Sequence, residues 1–331
     1  MKKILVIRLS SIGDIVLTSP VLRCLKEQVP DCELHFLVKK RFYPVVQANP
    51  HIDQIHTLEE NGLKPLSREL KKEKFDFIVD LHKNLRSTYL KQKLKVPASG
   101  FPKYNYEKWL LTRFKINRMP GLHIVDRYFK AVEPLNVAND GRGLEYFIPK
   151  EEEVDLSDLP VFLKDGYIGF VIGARHNTKI FPPEKVVGLI DRLEEPVILL
   201  GGKEDHERAG QIMKMSNKQI FNACGKFSIN QSVSLVRQAR IIITNDTGLM
   251  HIAAAFGKEV ISIWGNTVPE FGMYPYLPGK EKMSHIFEVK GLKCRPCSKL
   301  GYNKCPKGHF KCMLEIDANE IANAINNKSN A

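Results

Sequence analysis

Residues Asn245 to Phe256 read NDTGLMHIAAAF, a polar turn opening onto an alanine-rich apolar stretch. Apolar runs at 241–244 and 260–264 flank it, so the frame is strand, turn, helix, strand. The Asn-Asp-Thr-Gly turn starts a short helix carrying Leu249, Met250 and His251, and Gly257 closes it at C′. Free N–H groups at such a start, at the positive end of the helix dipole, suit a phosphate or diphosphate. Gly248 lets an anion approach the backbone and Thr247 adds a hydroxyl. A capped helix packed on a sheet needs the same residues, so this run by itself leaves both readings open. A second run lies near the start of the chain. Ile4 to Ile7 form a short apolar strand, followed by Arg8-Leu9-Ser10-Ser11-Ile12-Gly13-Asp14 and a helical pattern at Ile15, Val16, Leu17, Val21, Leu22 and Leu25. That arrangement places polar groups at the carboxyl edge of a parallel sheet, where open α/β folds bind ligands. It holds one glycine where a dinucleotide fingerprint needs three. Asp14 is placed either to cap the following helix or to face a ligand.

Taken together, RLSSIGDIVLTSP and TNDTGLMHIAAAFG resemble the paired signatures of glycosyltransferase family nine, the lipopolysaccharide heptosyltransferases. The resemblance extends to Asp80-Leu81-His82-Lys83-Asn84-Leu85-Arg86-Ser87, to Thr178-Lys179-Ile180-Phe181-Pro182 and to Gly265-Asn266-Thr267-Val268-Pro269. Five segments in the right order cover most of the chain. The resemblance implies an α/β protein of two facing Rossmann-like domains, the GT-B fold, with the active site in the interdomain cleft. It also implies an inverting, metal-independent transfer of a sugar, heptose, from ADP-heptose to the core of a lipopolysaccharide or lipooligosaccharide. Asp14 is then the catalytic base. Gly13, Thr178, Lys179, Asp246, Thr247, Gly248, Leu249 and His251 are donor contacts, and Ser11, Lys83 and Arg86 are acceptor contacts.

The chemistry agrees with those roles. A departing nucleoside diphosphate must have its growing charge stabilised. None of the chain's aspartates is followed two residues on by another, so no Asp-x-Asp is present to hold a divalent ion. Protein groups must meet the charge, and Lys179, with Arg175, His176 and Thr178 nearby in sequence, follows an apolar strand at 168–172 and a Gly-Ala turn. The attacking hydroxyl must lose a proton, which a carboxylate can accept. Single displacement by one base inverts the anomeric carbon. Gly201-Gly202-Lys203-Glu204-Asp205 follows another strand, and an acidic residue there, Asp205 or Glu204, is placed for ribose hydroxyls or for a helix cap.

The elements that must hold these residues are apolar runs at 4–7, 34–38 and 77–81, then at 167–172, 197–200, 241–244 and 260–264, alternating with helical stretches such as 15–28 and 64–73. Strands separated by helices imply parallel sheets. The division falls near Pro149, where Lys150-Glu151-Glu152-Glu153 begins a polar linker. Residues 1–155 are thus expected as the acceptor domain, and 156–331 as the donor domain with a Cys-rich loop at 294–312. Residues 1–150 carry 27 Lys and Arg against 16 Asp and Glu, and the remainder 23 against 21, so most of the net +13 falls on the first half. A basic domain wants an anionic partner. Between Lys83 and Arg118 ten cations meet the single acid Glu107, with Tyr89, Phe101, Tyr104, Tyr106 and Trp109 interleaved. That composition suits anionic lipid headgroups, and the partners expected are a nucleotide-sugar, an anionic glycolipid and the inner face of the cytoplasmic membrane. No nucleic-acid-binding signature accompanies the charge.

No apolar run is long enough to span a membrane. The Met1-Lys2-Lys3 start imitates a signal peptide, but Arg8 interrupts it too early, so a cytoplasmic protein peripheral to the membrane is expected. Seven cysteines without a secretory signal fit reduced thiols or a metal. Cys294, Cys297, Cys305 and Cys312, with His309 close by, have the thiols for a structural zinc, while catalysis is expected to need no cofactor. Two other classes compete with the enzyme the resemblance implies. A two-domain nucleotide-dependent oxidoreductase lacks its G-x-G-x-x-G, and a basic zinc-containing nucleic-acid-binding protein would depend on the cysteine cluster.

Overall fold

The computed structural model describes residues 2–60 and 62–329. The first part of the chain supplies strands β1 (Lys2–Ile7), β2 (Cys32–Lys39), β3 (Gln54–Leu58), β4 (Phe77–Asp80) and β5 (Ala98–Gly100), with helices α1 (Ile12–Val16), α2 (Ser19–Gln28), α3 (Leu63–Lys72) and α4 (Leu85–Leu94) between them. Helices α5 (Asn105–Phe114) and α6 (Ile124–Phe129) follow. The second part supplies β6 (Ile168–Val171), β7 (Val197–Leu200), β8 (Ile220–Asn222), β9 (Ile241–Asn245), β10 (Glu259–Trp264) and β11 (Ser284–Glu288). Its helices are α7 (Pro183–Ile190), α8 (His206–Met215), α9 (Ile229–Gln238), α10 (Gly248–Ala255), α11 (Lys311–Leu314) and α12 (Ala318–Ser329).

Two sheets result, ordered β3-β2-β1-β4-β5 and β11-β10-β9-β6-β7-β8. Every strand pairing is parallel. Central strands covered on both faces must be apolar throughout, and Ile4 to Ile7 and Val197 to Leu200 are fully buried accordingly. Helix α3 shows the complementary pattern: Leu63, Leu66 and Leu70 pack on Leu5, Ile7 and Ile78 while its lysines face outwards. The helical stretch expected over 15–28 is two helices. Pro20 enters the first turn of α2, where its missing N–H is harmless, and it cannot continue a helix begun at Ile12.

Each sheet has one point where the chain switches direction across it, between β1 and β4 in the first and between β6 and β9 in the second. Loops leaving such a pair diverge and open a crevice at the carboxyl edge. The first turns of the helices after β1 and β4 carry Asp14 and Arg86, and the segments after β6 and β9 carry Lys179 and Asp246. Topology alone therefore gathers the expected site residues into two groups.

The chain forms two compact units, residues 1–103 with 122–149, and residues 104–121 with 150–331. The basic aromatic stretch is thereby split, since Lys83 to Lys103 belong to the first unit and Tyr104 to Gly121 to the second. Counting charge by unit gives 22 Lys and Arg against 15 Asp and Glu in the first, and 28 against 22 in the second. The nets are +7 and +6, so the charge asymmetry expected from a cut in sequence is absent. Segment 104–121 moves most of the difference.

Candidate active site

In the first unit, Ser11 starts α1 and Asp14 occupies its third position. Asp14 Oδ2 accepts hydrogen bonds from Ser11 Oγ at 2.7 Å and Ser11 N at 3.2 Å. Its other oxygen pairs with Arg8 Nη2 at 2.7 Å, and a quarter of the side chain remains exposed. Asp14 is thus a cap and an oriented carboxylate at once. Arg8, barely exposed, is fixed by carbonyl oxygens of Ser10 at 2.8 Å and Leu81 at 2.5 Å, which ties the loop after β1 to the loop after β4. Gly13 is buried within α1 and contributes room, not a side chain.

Asp80 ends β4, is fully buried, and accepts from His82 N and Lys83 N while ion-pairing with Lys91. That carboxylate shapes the turn that presents His82, Lys83 and Arg86. Lys83 reaches the Phe101 carbonyl at 3.1 Å, so its ammonium is engaged locally. Asn84 caps α4 through Arg86 N and Ser87 N, leaving the Arg86 side chain exposed in the first turn, next to Leu85, which is 89% exposed. His82 lies close to Arg8, Lys103, Asp80 and Asp14. Burial and the neighbouring cations Arg8 and Lys103 push its pKa down to about 4, so it is neutral near pH 7. Its Nδ1 is buried without a partner among the described residues. Burial also lowers the Lys103 pKa, with Arg8 adding to the effect.

In the second unit, Lys179 Nζ lies 2.5 Å from Asp246 Oδ2, which also accepts from Thr267 Oγ1 at 2.8 Å. Thr247 precedes α10 in extended conformation and makes no side-chain cap; its hydroxyl lies 3.2 Å from Thr244 Oγ1. Thr247 thus leaves the first-turn N–H groups of Gly248 and Leu249 uncapped by its own side chain, as suits an anion site at a helix start. Gly257, at φ +60°, ends the helix as expected. His251 is buried. Asn245 joins the loops: its amide accepts from Phe181 N and donates to the carbonyls of Val171 and Gly173.

Two expected donor contacts point elsewhere. The Thr178 hydroxyl is buried and bonded to Asn266 Oδ1 and to the Tyr302 backbone, so it holds loops together. Asp205 is turned inwards, accepting from Gly202 N and pairing with Arg208. Burial raises its pKa. A Cβ on Gly173 would run into this carboxylate, so glycine there is what admits it. Glu204 is the exposed acid of the pair.

The Cys-rich segment braces the same loops. Among the described residues no three His, Cys, Asp or Glu side chains are disposed to hold a metal ion. Cys294, Cys297, Cys305 and Cys312, read from sequence as either a structural zinc site or reduced thiols, form no such group among the described residues. Cys312 packs in the core beside Met313 and Ile316, where burial first and neighbouring thiols second push it up to about 12. Cys294 Sγ lies 3.8 Å from His309 Nε2. What the segment visibly does is hydrogen-bond. Cys297 N donates to Asn266 O, Tyr302 pairs with Thr178, and Arg295 donates to the carbonyls of Gly265 at 2.5 Å and Thr267 at 2.8 Å while meeting Glu288 at 2.6 Å. Gly265 permits the close approach, because a Cβ there would lie 2.8 Å from Thr178 O. Arg8, His82, Asn245 and Arg295 were not foreseen as site residues. The signal available for the first and third was a polar residue immediately at the end of an apolar strand. Arg295→Lys keeps the charge but loses the fork that reaches two carbonyls. Donor KM should rise about 10–100-fold, the range of one lost charge-assisted hydrogen bond, with acceptor KM unchanged. Steady-state kinetics with each substrate varied checks this, and an unchanged donor KM would show that the loops Arg295 braces do not set donor binding.

Two Rossmann-like units, one presenting an oriented carboxylate and the other an ammonium beside a helix start, are an arrangement that a glycosyltransferase of the GT-B class can use. The profile of glycosyltransferase family 9 (heptosyltransferase) matches residues 64–302. Lipooligosaccharide heptosyltransferase 2 of Haemophilus influenzae is 24% identical over 95% of each chain. Among solved structures, a family 9 glycosyl transferase from Veillonella parvula has a TM-score of 0.72 at 25% identity, covering 95% of this chain and 97% of that one. ADP-heptose lps heptosyltransferase II of Escherichia coli gives 0.75 at 20% identity, over the whole of both chains. The chain belongs to glycosyltransferase family 9. The oxidoreductase and nucleic-acid-binding readings fall with that membership. No helix among the described residues is long and apolar enough to cross a membrane.

Proposed function

We propose that the protein transfers heptose from ADP-heptose to the core oligosaccharide of a lipopolysaccharide or lipooligosaccharide, inverting the anomeric carbon, at the inner face of the cytoplasmic membrane. The observation that carries this is the Asp14 carboxylate, fixed from two sides by Arg8 and Ser11 yet still partly open. The acceptor hydroxyl attacks the anomeric carbon and passes its proton to Asp14, as the bond to the β-phosphate oxygen breaks. Lys179 and the N–H groups at the start of α10 take the charge of the departing ADP. Asp246, held by Lys179 and Thr267, has capacity to accept from sugar hydroxyls, and Glu204 is the better placed acid for the ribose. Arg86 and the exposed surface of α4 receive the acceptor's phosphate or carboxylate.

The test is incubation of purified protein with ADP-, GDP- and UDP-linked sugars and a de-acylated core acceptor, with products read by mass spectrometry and the new linkage by NMR. Transfer from ADP-heptose alone, with inversion, is expected. Transfer from a different nucleotide-sugar, or retention of configuration, would overturn the proposal. Arg86→Ala should raise acceptor KM about 10–100-fold, one charge-assisted contact to an anion, and leave donor KM within about twofold. Arg86 is exposed and outside the core, so its removal should not disturb the fold.

A further inference from the structure

Helix α5 is bracketed by Tyr104 and Lys115, both in left-handed conformation. Its Leu111 packs on Val268 and Phe271, with Met119 alongside, and Leu110 is buried too. This seats one face on the second unit. Tyr106 and Trp109, three residues apart on the helix, and Phe114 at its last position are 61%, 48% and 54% exposed. These rings pack on one another in water: Tyr106 stacks on Trp109 at 5.9 Å, and Phe114 meets the Trp109 edge at 5.1 Å. Ile116 extends the patch and is nearly half exposed. Arg113 and Arg118 in the same segment are exposed, and residues 104–121 hold four cations against the one acid Glu107.

Rings this large are rarely left together in water unless something covers them. Charge narrows the choice of occupant, because exposed cations in one short segment with an amphipathic aromatic cluster complement anionic headgroups over an acyl boundary. Two lysines of the wider basic stretch are excluded from this surface. Lys115 donates to the carbonyls of Thr112, Cys294 and Pro296, and Lys103 is half-buried beside Arg8. We propose that Tyr106, Trp109, Phe114 and Ile116, with Arg113 and Arg118, dock the protein on an anionic phospholipid bilayer. The inference rests on the proposed lipid-anchored acceptor only for its purpose, and vesicles without acceptor test the surface by itself.

The two tryptophans make a direct reporter. Trp264 is buried, so a change of emission on adding vesicles belongs to Trp109. Wild-type protein titrated with phosphatidylethanolamine–phosphatidylglycerol vesicles should show blue-shifted emission and co-sediment with them. Binding should weaken with salt. Arg113→Glu with Arg118→Glu should weaken it at least about twentyfold, near fivefold for each cation removed. Tyr106→Ser with Phe114→Ser should reduce both the shift and the co-sedimentation, while transfer to a water-soluble core fragment stays at the wild-type rate. No shift and no co-sedimentation for wild type, or equal binding by the variants, would overturn the proposal. So would concentration-dependent self-association, measured by sedimentation equilibrium and abolished by the same variants, without a vesicle response. An inactive wild type that still binds vesicles would count against the proposed transfer and leave the docking surface standing.

Discussion

Asp14→Asn is expected to lower kcat by about 10²–10⁴-fold, the usual contribution of a positioned general base, while donor affinity changes less than about threefold. The geometry says what else the substitution does. Arg8 approaches Oδ1, so an asparagine must turn its carbonyl oxygen towards that guanidinium. Its NH2 then faces Ser11, whose hydroxyl can accept, and Ser11 N loses its acceptor. One hydrogen bond is lost at a helix start, worth about 1 kcal/mol, and the nearly buried Arg8 keeps an oxygen but loses its counter-charge, so melting should fall by more than the about 2–4 °C of the hydrogen bond alone. A stable, donor-binding and inactive variant separates proton acceptance from capping. If the variant turned over at close to the wild-type rate with saturating acceptor, Asp14 would be a cap and a partner for Arg8. Suspicion would then pass to His82, which is neutral near pH 7 and has a ring nitrogen without a partner among the described residues.

The fold was legible wherever burial wrote an apolar run. Seven strands were expected, and they are the interior strands of the two sheets, β1, β2, β4, β6, β7, β9 and β10. The four not expected, β3, β5, β8 and β11, stand at the four sheet edges. An edge strand has fewer neighbours and tolerates polar and small residues, so QIHTL, ASG, IFN and SHIFE carry little periodic signal. The same logic explains segment 104–121. Its sequence neighbours belong to the first unit, while Leu111 packs on Val268 and Phe271 and Lys115 reaches the carbonyls of Cys294 and Pro296, all in the second.

The site was legible in its motifs and less so in the direction its side chains face. Asp14, Lys179 and the Asp246-Thr247-Gly248 turn lie at the switch points that a strand-loop-helix reading implies. Whether a polar residue beside a glycine-rich turn faces a ligand or the core depends on partners distant in sequence. Asp205 turns in because glycines at 173 and 201 leave it room, and Thr178 because Asn266 and Tyr302, 88 and 124 residues on, bind its hydroxyl. Arg8 was hidden in the open: its position at the end of β1 was evident, but its bond to the Leu81 carbonyl, 73 residues away, was not.

Lys179→Ala should cost about 2.7–4 kcal/mol of transition-state stabilisation, or about 10²–10³ in kcat, the scale of removing one preorganised donor from a developing anion. The pairing with Asp246 makes the loss interpretable in two ways. Removing the ammonium takes a cation from the departing diphosphate, and it also leaves the Asp246 carboxylate facing that diphosphate with Thr267 as its remaining hydrogen-bond donor. Lys179 and Asp246 are each mostly buried, so breaking the pair also destabilises the loop. A double-mutant cycle separates these effects. If Lys179 serves chiefly to neutralise Asp246, Lys179→Ala combined with Asp246→Asn should recover most of the lost rate. If Lys179 contacts phosphate directly, the double variant should stay as slow as the single one, and that is the expected result. The ammonium stands beside a helix start that the Thr247 side chain does not cap, and two such positive groups together match a diphosphate better than either matches a lone carboxylate. The same argument predicts transfer undiminished in EDTA, since lysine and helix start supply the positive charge that a divalent ion would otherwise bring. Full recovery in the double variant, or an absolute requirement for Mg2+ or Mn2+, would take Lys179 out of direct contact with the leaving group.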